Sequence, residues 1–259
     1  MFQSSQHGEL ELLASPDAAI YLQGAHLTRF RDWLFLSEKS NFEQGKAIRG
    51  GVPVIFPWFG PNKSDSDLPQ HGLVRTKIWQ VEDVADDAVT LMTQTENWRA
   101  RMKFGFGDDL RMRFEVENQS DFAQNFECAL HTYFAVDNVE NVIISGLDGK
   151  SYLDKTENYA RKTQNGDVRL SGETDRVYLD SPGPIAIRDG ARTIHIVGQS
   201  GWRSTVVWNP WKRVAAQMSD LGGDEWKRYV CVECGAIADD AITLQAGENY
   251  ALDIEISAH

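Results

Sequence analysis

Short segments that alternate apolar and polar residues follow one another along almost the whole chain, and this pattern most limits the fold. AAIYLQGAHLTRF, AVTLMTQ, LRMRFEVENQS, NFECALHTYFAV, NVIISGL, TIHIVG, STVVWNP, YVCVECG and NYALDIEISA are rich in Val, Ile, Thr and aromatics. Such runs read as strands. Turn-forming clusters separate them: Asp108-Asp109, Asn118-Gln119-Ser120, Asp148-Gly149-Lys150, Asn165-Gly166-Asp167, Asp189-Gly190 and Ala246-Gly247-Glu248. No long amphipathic helical stretch with caps competes with them. The expected fold is all-β, a large antiparallel β-sandwich. With 259 residues and no linker or repeat, one domain over 1–259 is the simplest organisation. Segments 37–76 and 150–180 are the least strand-like and are expected to be long loops, where function concentrates.

The formal net charge of -12 disfavours nucleic acid and anionic membranes as partners. Any anionic ligand therefore needs a local basic pocket. No run reaches the roughly 18 apolar residues of a spanning helix. The opening MFQSSQHGELELL lacks the basic and apolar regions of a secretory signal. Three cysteines make no disulfide framework. Together these point to a cytoplasmic protein with reduced thiols. The Cys231/Cys234 pair lies inside a strand pattern with no second ligand pair, so no metal is expected.

Two strands carry a proton-handling group among apolar residues. In NFECALHTYFAV, alternation places Glu127, Ala129, His131 and Tyr133 on one face. That face is a candidate cavity lining. In RYVCVECGAI, Glu233 shares its face with Cys231 and Gly235. A carboxyl group there is rarely buried without a partner, and burial raises its pKa towards neutrality. Facing each other across a cleft, His131 and Glu233 are an acid and a base for chemistry that only moves protons.

Other candidates are binding residues. In AIRGGVPVIFPWFGP, Arg49 offers a planar donor fork, and Gly50 and Gly51 permit positive φ or close approach to a ligand. Trp58 and Phe59 offer flat faces for a sugar. In QHGLVRTKIW, His71 and Arg75 flank Gly72, and Arg75 with Arg49 forms a candidate phosphate clamp. Asp175 opens a strand in ETDRVYL as an acceptor for hydroxyls. Trp208 and Asn209 end a strand before Pro210.

Taken together, IRGGVPVIFPWFGP, PQHGLVR, HTYF at 131–134, GETDRVY, TVVWNPW and VCVECG resemble the hexose-6-phosphate mutarotases (glucose-6-phosphate 1-epimerases) of the aldose 1-epimerase superfamily. The resemblance runs in order from about residue 21 to the end. It implies a galactose-mutarotase-type super-sandwich. It also implies His131 as the acid that protonates the ring oxygen and Glu233 as the base at the anomeric hydroxyl. Asp175 and His71 would hold the sugar, and Arg49 and Arg75 the ligand with its phosphate. The sequence departs from the family pattern at Cys234, where Pro often stands, and at Thr76, where Asn is common.

The expected activity is interconversion of α and β anomers of an aldohexose 6-phosphate, with no cofactor and a small sugar phosphate as partner. Two other readings stand beside it: a mutarotase for free aldoses, and a non-catalytic sugar-binding module. The oligomeric state is left open by the sequence.

Overall fold

The structure, a computed structural model, describes residues 1–259. Two eight-stranded antiparallel sheets carry most of the chain. One runs in space from Ala160–Thr163 through Ser151–Asp154, Thr174–Tyr178, Ser204–Asn209, Tyr229–Ala236 and Cys128–Leu130 to Val54–Ile55, with Tyr133–Ala135 also paired to Tyr229–Ala236. The other contains the long strands Trp98–Phe106, Leu110–Asn118, Arg192–Ser200 and Asn249–Ala258. A four-stranded N-terminal sheet covers Gln3–Phe30. The one α-helix, Trp211–Ala215, spans five residues, as the lack of helical periodicity implied.

Alternation does the sorting. In Leu110–Asn118 every second residue is buried, so one face joins a core of 59 buried residues shared by both large sheets. The outer face carries ion pairs such as Arg99–Glu117 and Arg113–Asp253. The expected β-sandwich is therefore present. Segment 37–76 is mostly loop, with only Val54–Ile55 and the 3-10 turn Val74–Thr76. Segment 150–180 is not. It supplies three strands of the first sheet. Its outer strand Ala160–Thr163 is half exposed throughout and polar, so no apolar alternation marked it.

The strand Tyr229–Ala236 is buried at all eight positions. Val230, Val232 and Cys234 enter the main core. On the opposite face Tyr229 and Cys231 also join the main core, whereas Glu233 and Gly235 pair with Val206 and Ala129 of a satellite cluster that includes Ile55, Phe59, Val177, Leu179 and Ile237. Glu233 belongs to this second face, at the rim of that cluster.

Candidate active site

Register decides where the chemistry falls. Leu130 pairs with Cys234 and Tyr133 with Cys231. One antiparallel register thus runs through both short strands, and it places His131 opposite Glu233, although the ladder is interrupted at 131–132. Directly opposed side chains on one face lie about 5 Å apart. His131 Nε2 is 3.2 Å from Glu233 Oε1. The expected facing across a cleft is corrected here: the two groups are touching neighbours on adjacent strands, on one wall of the pocket.

The neighbouring row on the same face is Asp175, Trp208, Cys231 and Tyr133, fixed by pairs Asp175–Trp208, Trp208–Cys231 and Tyr133–Cys231. Loop residues close the space above. The resulting cavity has a volume of about 320 Å³, and all six sequence-predicted residues line it: Arg49, His71, Arg75, His131, Asp175 and Glu233. Phe59 and Trp208 line it too. Trp58 does not. Its Nε1 donates to the Pro69 carbonyl, and the ring borders a different surface hollow. Glu127, expected on the cavity face, is occupied structurally by accepting the Phe59 and Ala238 backbone N–H groups. Asn209 likewise bonds the Trp226 and Tyr229 carbonyls and ends its strand.

Burial dominates the electrostatics of the pair. Desolvation drives Glu233 well above the ordinary carboxyl value, helped by the nearby Asp175 charge. Desolvation drives His131 well below the ordinary imidazole value, helped by His71 and Arg49. The pair therefore holds one proton in total over a wide pH range, with one partner able to give it and the other able to take it. Within the pair, His131 Nδ1 and Glu233 Oε2 have no hydrogen-bond partner, an uncommon state for buried polar atoms.

His131 stacks on Tyr133, ring centroids 4.9 Å apart. Tyr133 Oη accepts from Arg49 Nη1 at 2.9 Å. Arg49 Nε and Nη2 both donate to Asp220 Oδ2, at 3.2 and 3.1 Å. Arg75 differs. Burial lowers its pKa, and no carboxylate pairs with it. His71 Nδ1 accepts the Gly60 backbone N–H at 3.2 Å, so a neutral His71 carries its proton on Nε2. Burial and the charges of Arg75 and Lys155 push its pKa down to about 3. Cationic character in the pocket thus comes from Arg49, Arg75 and Lys155, not from His71.

Local backbone explains the loops. His71 has φ 67° and Gly72 has φ 81°. A Cβ on Gly72 would sit 2.0 Å from the Phe56 carbonyl oxygen. Gly51, at φ 61°, would bring a Cβ within 2.3 Å of the Leu27 carbonyl oxygen. The two glycines after Arg49 are therefore pressed against protein backbone. The expected approach to a ligand is not their constraint.

Sequence reading missed Lys155 and Asp220. Lys155 lines the cavity, with Nζ 2.8 Å from Asp175 Oδ2. Asp220 anchors Arg49 from the loop after the short helix. Neither lies in a periodic run, and only their charge could have marked them.

The aldose 1-epimerase family profile matches residues 13–257. A protein of Cenchrus ciliaris, provisionally named glucose-6-phosphate 1-epimerase, is 33% identical over 93% of this chain and 81% of its own length. A protein of Escherichia coli K12 with the same provisional name is 34% identical over 93% of this chain and 84% of its own. The crystal structure of a provisionally named mutarotase from Salmonella typhimurium superposes with TM-score 0.90 at 28% identity, covering 99% of this chain and 93% of that one. On the match across nearly its full length, the chain belongs to the aldose 1-epimerase family and is an isomerase.

Proposed function

We propose that this protein interconverts the α and β anomers of an aldohexose 6-phosphate, glucose 6-phosphate foremost. The observation that carries the reading is the buried His131–Glu233 contact of 3.2 Å in a cavity that also holds the unpaired Arg75. The names of the relatives from Cenchrus ciliaris and Escherichia coli support the substrate.

Adjacent placement of acid and base suits the reaction. The ring oxygen and the anomeric hydroxyl oxygen are bonded to the same carbon, so the groups serving them must sit side by side. An acid and base on opposite faces of the pyranose, the arrangement the cleft picture implied, would not reach both. The pair's one proton passes from Glu233 to His131 across their 3.2 Å contact; His131 then gives it to the ring oxygen as Glu233 takes the anomeric hydroxyl proton. The bond from C1 to the ring oxygen breaks, and C1 becomes an aldehyde carbon. Rotation about C1–C2 presents the other carbonyl face. The new hydroxyl then attacks C1 and returns its proton to His131, while Glu233 returns its proton to the anomeric oxygen. Protons balance over the cycle, and the pair ends as it began.

The pose follows. C6 is attached to C5, next to the ring oxygen, so the phosphate falls on the His131 side, towards Tyr133, Arg49 and Arg75. C2 lies on the other side of C1, towards Asp175. His71 offers Nε2–H to a sugar oxygen.

One observation favours a second reading. Arg49 is already matched by Asp220 at 3.1 Å, which leaves one uncompensated guanidinium for a dianion. A free aldose would need neither. Anomer-exchange NMR with glucose 6-phosphate, glucose and galactose tests both. Faster exchange of the phosphate ester alone, or by at least tenfold in kcat/KM, supports the first. Equal rates favour the free sugar. Binding without acceleration of any of them rejects catalysis.

The main core of 59 buried residues, shared by both large sheets, supports one domain over the whole chain. Three unpaired, buried thiols fit a reducing cytoplasm, and the acidic charge fits the lack of a nucleic-acid role. No helix is long and apolar enough to cross a membrane.

A further inference from the structure

We infer that Lys155 is a specificity-determining residue that, with Asp175, grips the sugar hydroxyls beside the anomeric carbon. The inference rests on the sugar reading above and assigns its distal subsite. Lys155 starts a three-residue 3-10 turn, Lys155–Glu157, in which Asp154 Oδ1 accepts the Thr156 backbone N–H at 3.1 Å. The turn aims the side chain over the sheet. Nζ lies 2.8 Å from Asp175 Oδ2 and 5.3 Å from the centroid of the Phe59 ring. Both side chains line the cavity, about one fifth exposed.

Position and chemistry agree. Asp175 is separated from the Glu233 strand by the strand bearing Trp208, so the pair stands at the end of the floor away from Tyr133 and Arg49. With the ring oxygen at His131, the hydroxyls on C2 and C3 point to that end. A vicinal diol offers donors and acceptors together. An ammonium beside a carboxylate offers the complement. Nζ has three protons, and Asp175 is its one carboxylate neighbour within 4 Å. Asp175 Oδ1 is a further acceptor.

Lys155 is a poor place for the phosphate. A dianion bound there would face the Asp175 carboxylate 2.8 Å from Nζ, whereas Arg75 has no carboxylate paired with it. The same contact opposes the burial that raises the Asp175 pKa. The ammonium is thus held for neutral hydroxyls.

The experiment removes the hydroxyl and the lysine in turn. Glucose 6-phosphate, 2-deoxyglucose 6-phosphate and 3-deoxyglucose 6-phosphate are compared with the full-length protein and its Lys155→Met variant. Calorimetric binding and anomer-exchange NMR are both read, with circular dichroism to show that the variant is folded. Wild type should favour glucose 6-phosphate over at least one deoxy sugar. Lys155→Met should lose roughly 10- to 100-fold on glucose 6-phosphate, the range of a charged hydrogen bond, and far less on that deoxy sugar. Equal losses on all three would overturn the inference, whether the lysine serves the phosphate or only the fold. Wild-type binding without anomer exchange would sink the proposed activity but leave this comparison intact. If Lys155→Met fails to fold, Lys155→Leu, which also lacks a donor, gives the same reading.

Discussion

At the residue level the protein concentrates its unusual features in one carboxyl and one imidazole. Glu233 is 1% exposed yet has no cation within hydrogen-bonding reach other than His131 when that ring is charged. Glu233→Gln keeps the shape and removes proton exchange. Turnover should fall by at least about 10²-fold, the usual contribution of one positioned acid or base, with the fold unchanged by circular dichroism. A variant retaining near-normal exchange would remove Glu233 from the chemistry. The two arginines should separate. Arg75→Ala should cost glucose 6-phosphate binding more than Arg49→Ala, because Arg49 shares its charge with Asp220 and Tyr133. Comparable losses would show that the Asp220 contact yields when a phosphate arrives.

These groups were legible in the sequence because they sit on strands. Alternation gives a face to each side chain, and a charged or polar residue on an otherwise apolar face stands out. His131 and Glu233 were readable for that reason. Lys155 and Asp220 were not, since a short turn and a loop impose no period. Trp58 was misread for the same cause: sequence shows that two aromatics are adjacent, not which of them turns inward.

At the level of elements, the site depends on a register and on two tight loops. The register is set by the opposite-face residues Leu130, Val232 and Cys234 in the main core, since a one-residue slip would turn Glu233 into that core. This part of the fold was visible as alternation. The edge strands were not, because Gln3–His7 is exposed at every position and Ala160–Thr163 at every second one, with none of its residues buried. An edge strand with two wet faces has no apolar stripe to read. The loop carrying His71 is held by close backbone approach at Gly72. Gly72→Ala should destabilise by at least about 1 kcal/mol from positive φ alone, with the 2.0 Å clash adding to it. Urea midpoints measure this. Stability equal to wild type would mean that the loop relaxes, and anomer exchange would then report whether His71 moved with it.

At the level of the whole molecule, buried titratable groups set the pH range in which the fold survives. His26 Nε2 donates to the Gly50 carbonyl at 2.7 Å inside the core, and burial lowers its pKa to about 4. His71 falls to about 3. Both folded values lie below the unfolded value near 6.5. The unfolded chain therefore binds more protons than the native one, so their stabilisation is present above pH 6.5 and is lost as pH falls towards the folded values. The His131–Glu233 pair behaves differently. Between about pH 4.5 and 6.5 the unfolded chain holds one proton, on His131. The native pair also holds one, so the pair adds no slope there. His26 and His71 together should then cost about 3 kcal/mol per pH unit over that window, at about 1.4 kcal/mol per unit each. Urea unfolding at pH 7, 6 and 5 reads this slope, and His26→Gln should cut it by about half. Glu233 leaves its own mark with the opposite sign. Its raised folded pKa means that the native state keeps a proton the unfolded chain releases above about pH 4.5. Glu233→Gln should therefore gain stability relative to wild type as pH rises through that range. A gain that is flat with pH would mean that His131 stays protonated in the folded variant, against the burial that lowers its pKa.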